Sequence, residues 1–335
     1  MLRKRGVIIL ELCLFILSQE IFATDYTSVS SGNWNNAAVW SPSGIPGAAD
    51  NVIIAAGHTI TLTDARSCNN LTINGFLQIQ GSNFTVNGTT TVNGTLHDNN
   101  PIGTDRFNGI INVNPGAVWN TLAVNSSSRI QLWNNINNNT DTMRFSAARV
   151  YASLSINGTG VLSAYNLNFN SDGLTVTNNS TVLIKSNLNA SNKSSTWKND
   201  VGSVLIYEGT TNPPMSDNGT LIASDFNNRV IYRGADQPIK TPIGSAYYNL
   251  TISNPGIKTL QNDLIILNNL TVDNTATLSC NQNNITGTPT GLMTMTANTT
   301  LLVGNTSSST ANSFPSGFIA ANISLDPSST VVYQA

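Results

Sequence analysis

Charge is scarce in this chain. Lys, Arg, Asp and Glu make up 10% of its 335 residues, where an ordinary soluble domain carries about 25%. The net charge of −2 leaves no basic footprint for nucleic acid or an anionic membrane surface. Cysteine is equally sparse. Cys13, Cys68 and Cys280 are the only three, and neither Cys68 nor Cys280 has a Cys or His nearby at metal-ligand spacing. Both read as buried free thiols serving as small apolar side chains. No stretch carries a helical period, and no apolar run is long enough to span a bilayer as a helix. A glycine-rich phosphate loop, a Ser/His/Asp signature and an Asp-rich calcium loop are all missing. No cofactor and no metal is expected, and no catalytic residue.

A short phrase fills the space instead. It reads apolar–Thr–apolar, then Asn or Asp, then often Gly: Leu71-Thr72-Ile73-Asn74-Gly75, Phe84-Thr85-Val86-Asn87-Gly88, Leu154-Ser155-Ile156-Asn157-Gly158, Leu250-Thr251-Ile252-Ser253-Asn254, Leu270-Thr271-Val272-Asp273-Asn274. Each copy predicts a short strand and a turn. Hydrophobic residues reach 40% and alternate with Thr, Ser and Asn, so the chain can bury a core. Asn-Gly recurs at one offset from its strand, as equivalent corners of stacked coils require, and Asn side chains stacked on parallel coils can bond in ladders. Leu250 and Leu270, twenty residues apart, are one coil apart on this reading. The fold class expected is all-β, a right-handed parallel β-helix (β-solenoid) with an N-terminal cap. Some fifteen coils at about 4.8 Å each would make a rod of roughly 70 Å. Trp34 and Trp40 are suited to cover the first coil, whose core and edge would otherwise be open.

Three segments follow. Residues 1–23 read as a signal peptide: Arg3, Lys4 and Arg5, the apolar run Val7 to Leu17, and Ala23 as a small cleavage residue. Residues 24–200 form the first β-helix region and 201–335 a repeat region. In the latter, Val230-Ile231-Tyr232 returns as Val331-Val332-Tyr333, which suggests a unit of about a hundred residues. The chain is then expected to continue into further C-terminal repeats beyond Ala335; a short final strand closing the domain is the alternative.

Candidate ligand contacts are few. His97, Asp98, Asp105 and Arg106 form the densest ionisable group, within a break expected between strands over Leu96 to Phe107. They read as a glycan-contacting loop or, the favoured alternative, as a solvated loop with a surface ion pair. Trp119, Trp133 and Trp197, with Tyr247 and Tyr248, can stack on sugar rings or on one another in the core; the core reading is favoured. His58 reads as a turn histidine with a satisfied ring. Asp50, Asp64 and Asp172 read as turn caps.

The block Gly32-Asn33-Trp34, Trp40, Pro46, Asp50-Asn51-Val52-Ile53-Ile54 and Gly57-His58-Thr59-Ile60 resembles the opening of G8-type domains. The resemblance is to versions near the N-terminus of large secreted surface proteins of Bacteroidetes-type bacteria. Tyr247-Tyr248-Asn249-Leu250-Thr251-Ile252 and Asn269-Leu270-Thr271-Val272 resemble repeats of the same proteins. The resemblance implies a right-handed β-helix, export by type IX secretion, and a role as an adhesin or surface scaffold whose partners are polysaccharides or host and cell-surface glycans. The alternative is a polysaccharide-active β-helix enzyme, or the binding arm of one. The resemblance transfers no catalytic residue.

Overall fold

A computed structural model describes residues 23–100, 103–121, 129–305 and 313–334. The expected signal segment, with Cys13, lies outside the described residues except for Ala23. The chain is a parallel β-solenoid of about 11 turns, 51% strand and 3% helix. The strands lie in sheets of 11, 19 and 5 strands. The count of fifteen coils is therefore too high, and 11 turns at about 4.8 Å give a stack of roughly 50 Å. The reason is coil length: Thr90 stacks on Leu71 after nineteen residues, but Ile136 stacks on Ile111 only after twenty-five.

The repeated phrase is the rung. Leu71–Ile73, Thr90–Val92, Ile111–Val113 and Ile136–Asn138 pair in parallel, in register, and Leu250 faces Leu270 as the twenty-residue spacing requires. Period-two alternation sends Leu71 and Ile73 into the core and leaves Thr72 outside. Buried apolar side chains from Trp34 to Phe318 form one contiguous cluster, and ladders cross residue 200 unbroken: Thr181–Asn189 pairs with Val204–Tyr207, and Thr196–Asn199 with Thr220–Ile222. The hundred-residue unit is not a structural unit. Leu205-Ile206-Tyr207 and Val230-Ile231-Tyr232 stack one coil apart, whereas Val331 to Tyr333 pairs with Leu301 to Val303 in a different sheet. The coil is what repeats.

Corners stack as expected. A side chain on Gly75 or Gly94 would meet the carbonyl of Ala55 at 2.3 Å or of Gly75 at 2.1 Å, so only glycine lets these corners approach. Asn side chains run beside them in ladders: Asn93 Nδ2 to Asn74 Oδ1 at 2.7 Å and Asn114 to Asn93 at 2.6 Å. At the N-terminal end, Trp34 and Trp40 are buried, edge to face at 5.2 Å. There Asp25–Ser28 and Trp40–Ser41 make the one antiparallel pairing among the described strands. Cys68 and Cys280 are buried free thiols.

Midway the coil changes. Val118–Thr121 and Arg129–Leu132 are separate strands, yet both pair with the single nine-residue strand Thr142–Val150, one with each half. The next two coils repeat the long strand, as Val161–Phe169 and Thr181–Asn189. Regularity breaks in the middle of each: Ser146 and Ala147 interrupt the alternation of the first, and the register slips between Ala164 and Asn166 of the second, opposite Ile184 and Asn187 of the third. The outer face of these three strands is hollowed on both sides of this break, and so concave there.

Candidate functional site

The concave face of Thr142–Val150, Val161–Phe169 and Thr181–Asn189 holds two neighbouring hollows. The larger, about 380 Å³, is lined by Arg149, Asn166, Asn168, Asn187, Asn189 and Asn212, with Ala147. Register places Arg149, Asn168 and Asn189 in one row along the stack, and Ala147, Asn166 and Asn187 in the next. Asn187 Nδ2 donates to Asn166 Oδ1 at 3.1 Å. Rungs about 4.8 Å apart thus present amide donors and acceptors at a fixed spacing. The smaller hollow, about 140 Å³, lies on the other side of this break. Arg144, Ser146, Ser163, Tyr165, Lys185 and Thr121 line it, over Phe145. Tyr165 is 46% exposed.

The three strands carry no Asp or Glu. Among the described residues, ion pairs form at Arg66, Lys198 and Arg233; Arg144, Arg149 and Lys185 join none of them. The face is therefore cationic on a molecule whose net charge is negative.

The row through Arg149 continues toward the N-terminus as Gln131 and then Arg106. Gln131 Nε2 donates to the Tyr151 hydroxyl at 3.2 Å. Tyr151 stacks on Trp133, centroids 4.9 Å apart and planes 12° from parallel. The Arg106 guanidinium sits 4.3 Å from the Trp133 ring centroid, its Nε donating to Asn108 Oδ1 at 2.6 Å. Both faces of Trp133 are thereby taken, so Trp133 stands in a ladder beside the groove and offers no open stacking platform.

The other candidates disperse. The break expected over Leu96 to Phe107 contains two strands, Thr95–Asp98 and Thr104–Phe107. Alternation then splits the ionisable group: His97 and Arg106 point outward, Asp98 and Asp105 inward. His97 packs edge-on against Phe76 at 4.9 Å. Asp98 and Asp105 are each 2% exposed, so the solvated loop is corrected to a buried carboxyl pair, and no Asp105–Arg106 ion pair forms. Asp98 Oδ1 accepts from the Asn100 amide and Asp105 Oδ1 from the Phe84 amide, both at 2.9 Å. Burial first, and the Asp98 carboxyl second, push Asp105 up to about 8; burial raises Asp98 too.

Trp119 lies wholly in the core between Phe107 and Phe145, at 5.0 and 5.8 Å. Trp197 and Tyr247 are core residues as well, the Tyr247 hydroxyl 3.0 Å from that of Tyr232. Tyr248 packs on exposed Phe226 at 5.3 Å. His58 Nδ1 meets the Ser28 hydroxyl at 2.9 Å. Asp50 and Asp172 accept backbone amides of Gly47 and Ser194, and Asp64 pairs with Arg66. No group of three or more His, Cys, Asp or Glu suited to a metal occurs among the described residues, and no described helix is long and apolar enough to cross a membrane.

Sequence reading missed Arg144, Arg149, Lys185 and the five asparagines of the groove. The available signal was a run of nearly 50 residues, 142–189, with one acid, Asp172, among three cations. Comparison with family models, curated proteins and solved structures gives no match.

Proposed function

We propose that the chain is an exported, adhesin-like β-solenoid, a structural protein of the cell surface that binds polysaccharide along the concave face of its middle coils. The observation that carries this reading is the amide-lined groove of Asn166, Asn168, Asn187 and Asn189 with Arg149. A hydroxyl-rich polymer needs many short-range donors and acceptors at a regular spacing, and parallel coils repeat them every 4.8 Å or so. The Arg106–Trp133–Tyr151 ladder gives the groove a stiff flank. Export is supported by Arg3 to Arg5 and the apolar run Val7 to Leu17. The G8-like assignment rests on the opening block Gly32 to Ile60, whose Trp34 and Trp40 close the end of the stack. Burial of Asp98 and Asp105 supports binding over hydrolysis, because a glycosidase needs its two carboxyls at the substrate.

The test is binding of the full chain to immobilised polysaccharides, neutral (dextran, galactan, mannan) and acidic, by interferometry. Each amide hydrogen bond is worth about 1 kcal/mol net. Asn168→Ala with Asn187→Ala is therefore expected to weaken the bound polymer's affinity roughly tenfold or more without changing the melting temperature by more than a few degrees. Failure to retain any polymer would sink the reading.

A further inference from the structure

We infer that the smaller hollow, between Arg144 and Lys185, is an anion subsite, so that the polymer held by the neighbouring groove is an acidic one. The inference rests on the groove reading above. Four observations carry it.

Arg144 and Lys185 are exposed, come from strands two coils apart, and have no ion-pair partner among the described residues. Two unneutralised cations flanking one hollow repel each other, and an anion between them removes that cost. Ser163, the register partner of Arg144 on the intervening strand, puts a hydroxyl on the floor between them. Thr121 also lines the hollow, and its side-chain oxygen is buried with no hydrogen-bond partner among the described residues. A buried hydroxyl of that kind is costly unless something fills its valence.

Size narrows the ligand. A hollow of about 140 Å³ has room for roughly four or five waters at about 30 Å³ each. That is enough for a carboxylate or a sulfate ester, and because the hollow is open to solvent the sugar that carries the group can lie outside it. The sugar backbone then lies in the larger groove. Exposed Tyr165 stands at the junction, its neighbour Asn166 already lining that groove. Arg149, in the groove itself, extends the positive potential along the same face.

Carboxylate and sulfate ester share this chemistry, and the experiment separates them. The full chain is titrated on polygalacturonate (carboxylated), dextran sulfate (sulfated) and dextran. It is compared with the double variant Arg144→Gln/Lys185→Gln, and with Lys193→Gln/Arg229→Gln, which changes net charge equally at a distance. The wild type is expected to bind one of the two acidic polymers at least tenfold more tightly than dextran, and that polymer identifies the group. The first double variant is expected to lose roughly tenfold on it and nothing on dextran, while the second stays within about twofold of wild type.

Equal losses in both double variants would overturn the subsite, since diffuse charge would then explain the preference. Retention of dextran or another neutral polymer with no acidic preference would overturn the subsite and leave the groove reading standing. Retention of nothing overturns both.

Discussion

Asp98 and Asp105 interact inside the solenoid with no cation beside them among the described residues: Arg106, next in sequence, faces the other way onto Trp133. Two carboxylates cannot both stay ionised in a buried apolar site, so the pair keeps a proton. Asp105, held up to about 8 against an ordinary 3.8, binds a proton in the folded chain that the unfolded chain has released. Between those two values the folded state carries more protons, so stability falls as pH rises, by at most ~1.4 kcal/mol per pH unit, and the loss is complete once the folded-state value is passed. The wild-type melting temperature is therefore expected to drop from pH 5 to pH 8. Asp105→Asn, which cannot ionise, should flatten that profile. A wild-type profile already flat over this range would refute the shared proton.

Among the elements, the LTI-type rungs were legible because one rule, apolar inward and Thr outward, sets both their period and their register. The rule failed where polar residues point inward. Asp98 and Asp105 break the apolar pattern of Thr95–Asp98 and Thr104–Phe107, so two strands read as a loop, and side chains one position apart read as one cluster. The groove was illegible for the opposite reason: asparagine is everywhere, and nothing local separates a ladder Asn at a corner from one in the concave face. Only the pairing of two nine-residue strands brings Asn166, Asn168, Asn187 and Asn189 together, with Arg149 on a third beside them. Ladder asparagines are testable apart from ligand. Asn137 donates to Asn112 at 2.8 Å and accepts from Asn157 at 3.0 Å, linking three coils. Asn137→Ala removes both bonds and is expected to cost ~1–2 kcal/mol in urea unfolding, whereas Thr91→Ala in the same outer row should stay within about 0.5 kcal/mol. Similar costs for the two would mean the ladder contributes nothing beyond an ordinary outer side chain.

At the scale of the whole molecule, each coil pairs only with the coils above and below it, so stability is close to a chain of nearest-neighbour terms and damage at one end stays near that end. Trp34 and Trp40 are where this matters most. Trp34 packs edge-on to both Trp40 and Phe84, at 5.2 and 5.5 Å, and the Trp40 indole donates to the Trp34 carbonyl at 2.9 Å. The pair covers the core beneath Asn51–Ile54 and Thr59–Leu62, the first parallel rungs. Removing a buried Trp side chain costs about 3–5 kcal/mol, more than one coil's share of a marginal total. Trp34→Ala should therefore fray the first coils while the remainder stays folded. Hydrogen exchange reads this directly: amides of Asn51–Ile54 and Thr59–Leu62 are expected to lose most of their protection, and those of Leu264–Val272, many coils away, to keep theirs. The concave face lies between, so polysaccharide binding should survive in the variant. If protection instead fell evenly along the chain, the solenoid would be a single cooperative unit and the cap would stabilise all of it, the binding face included.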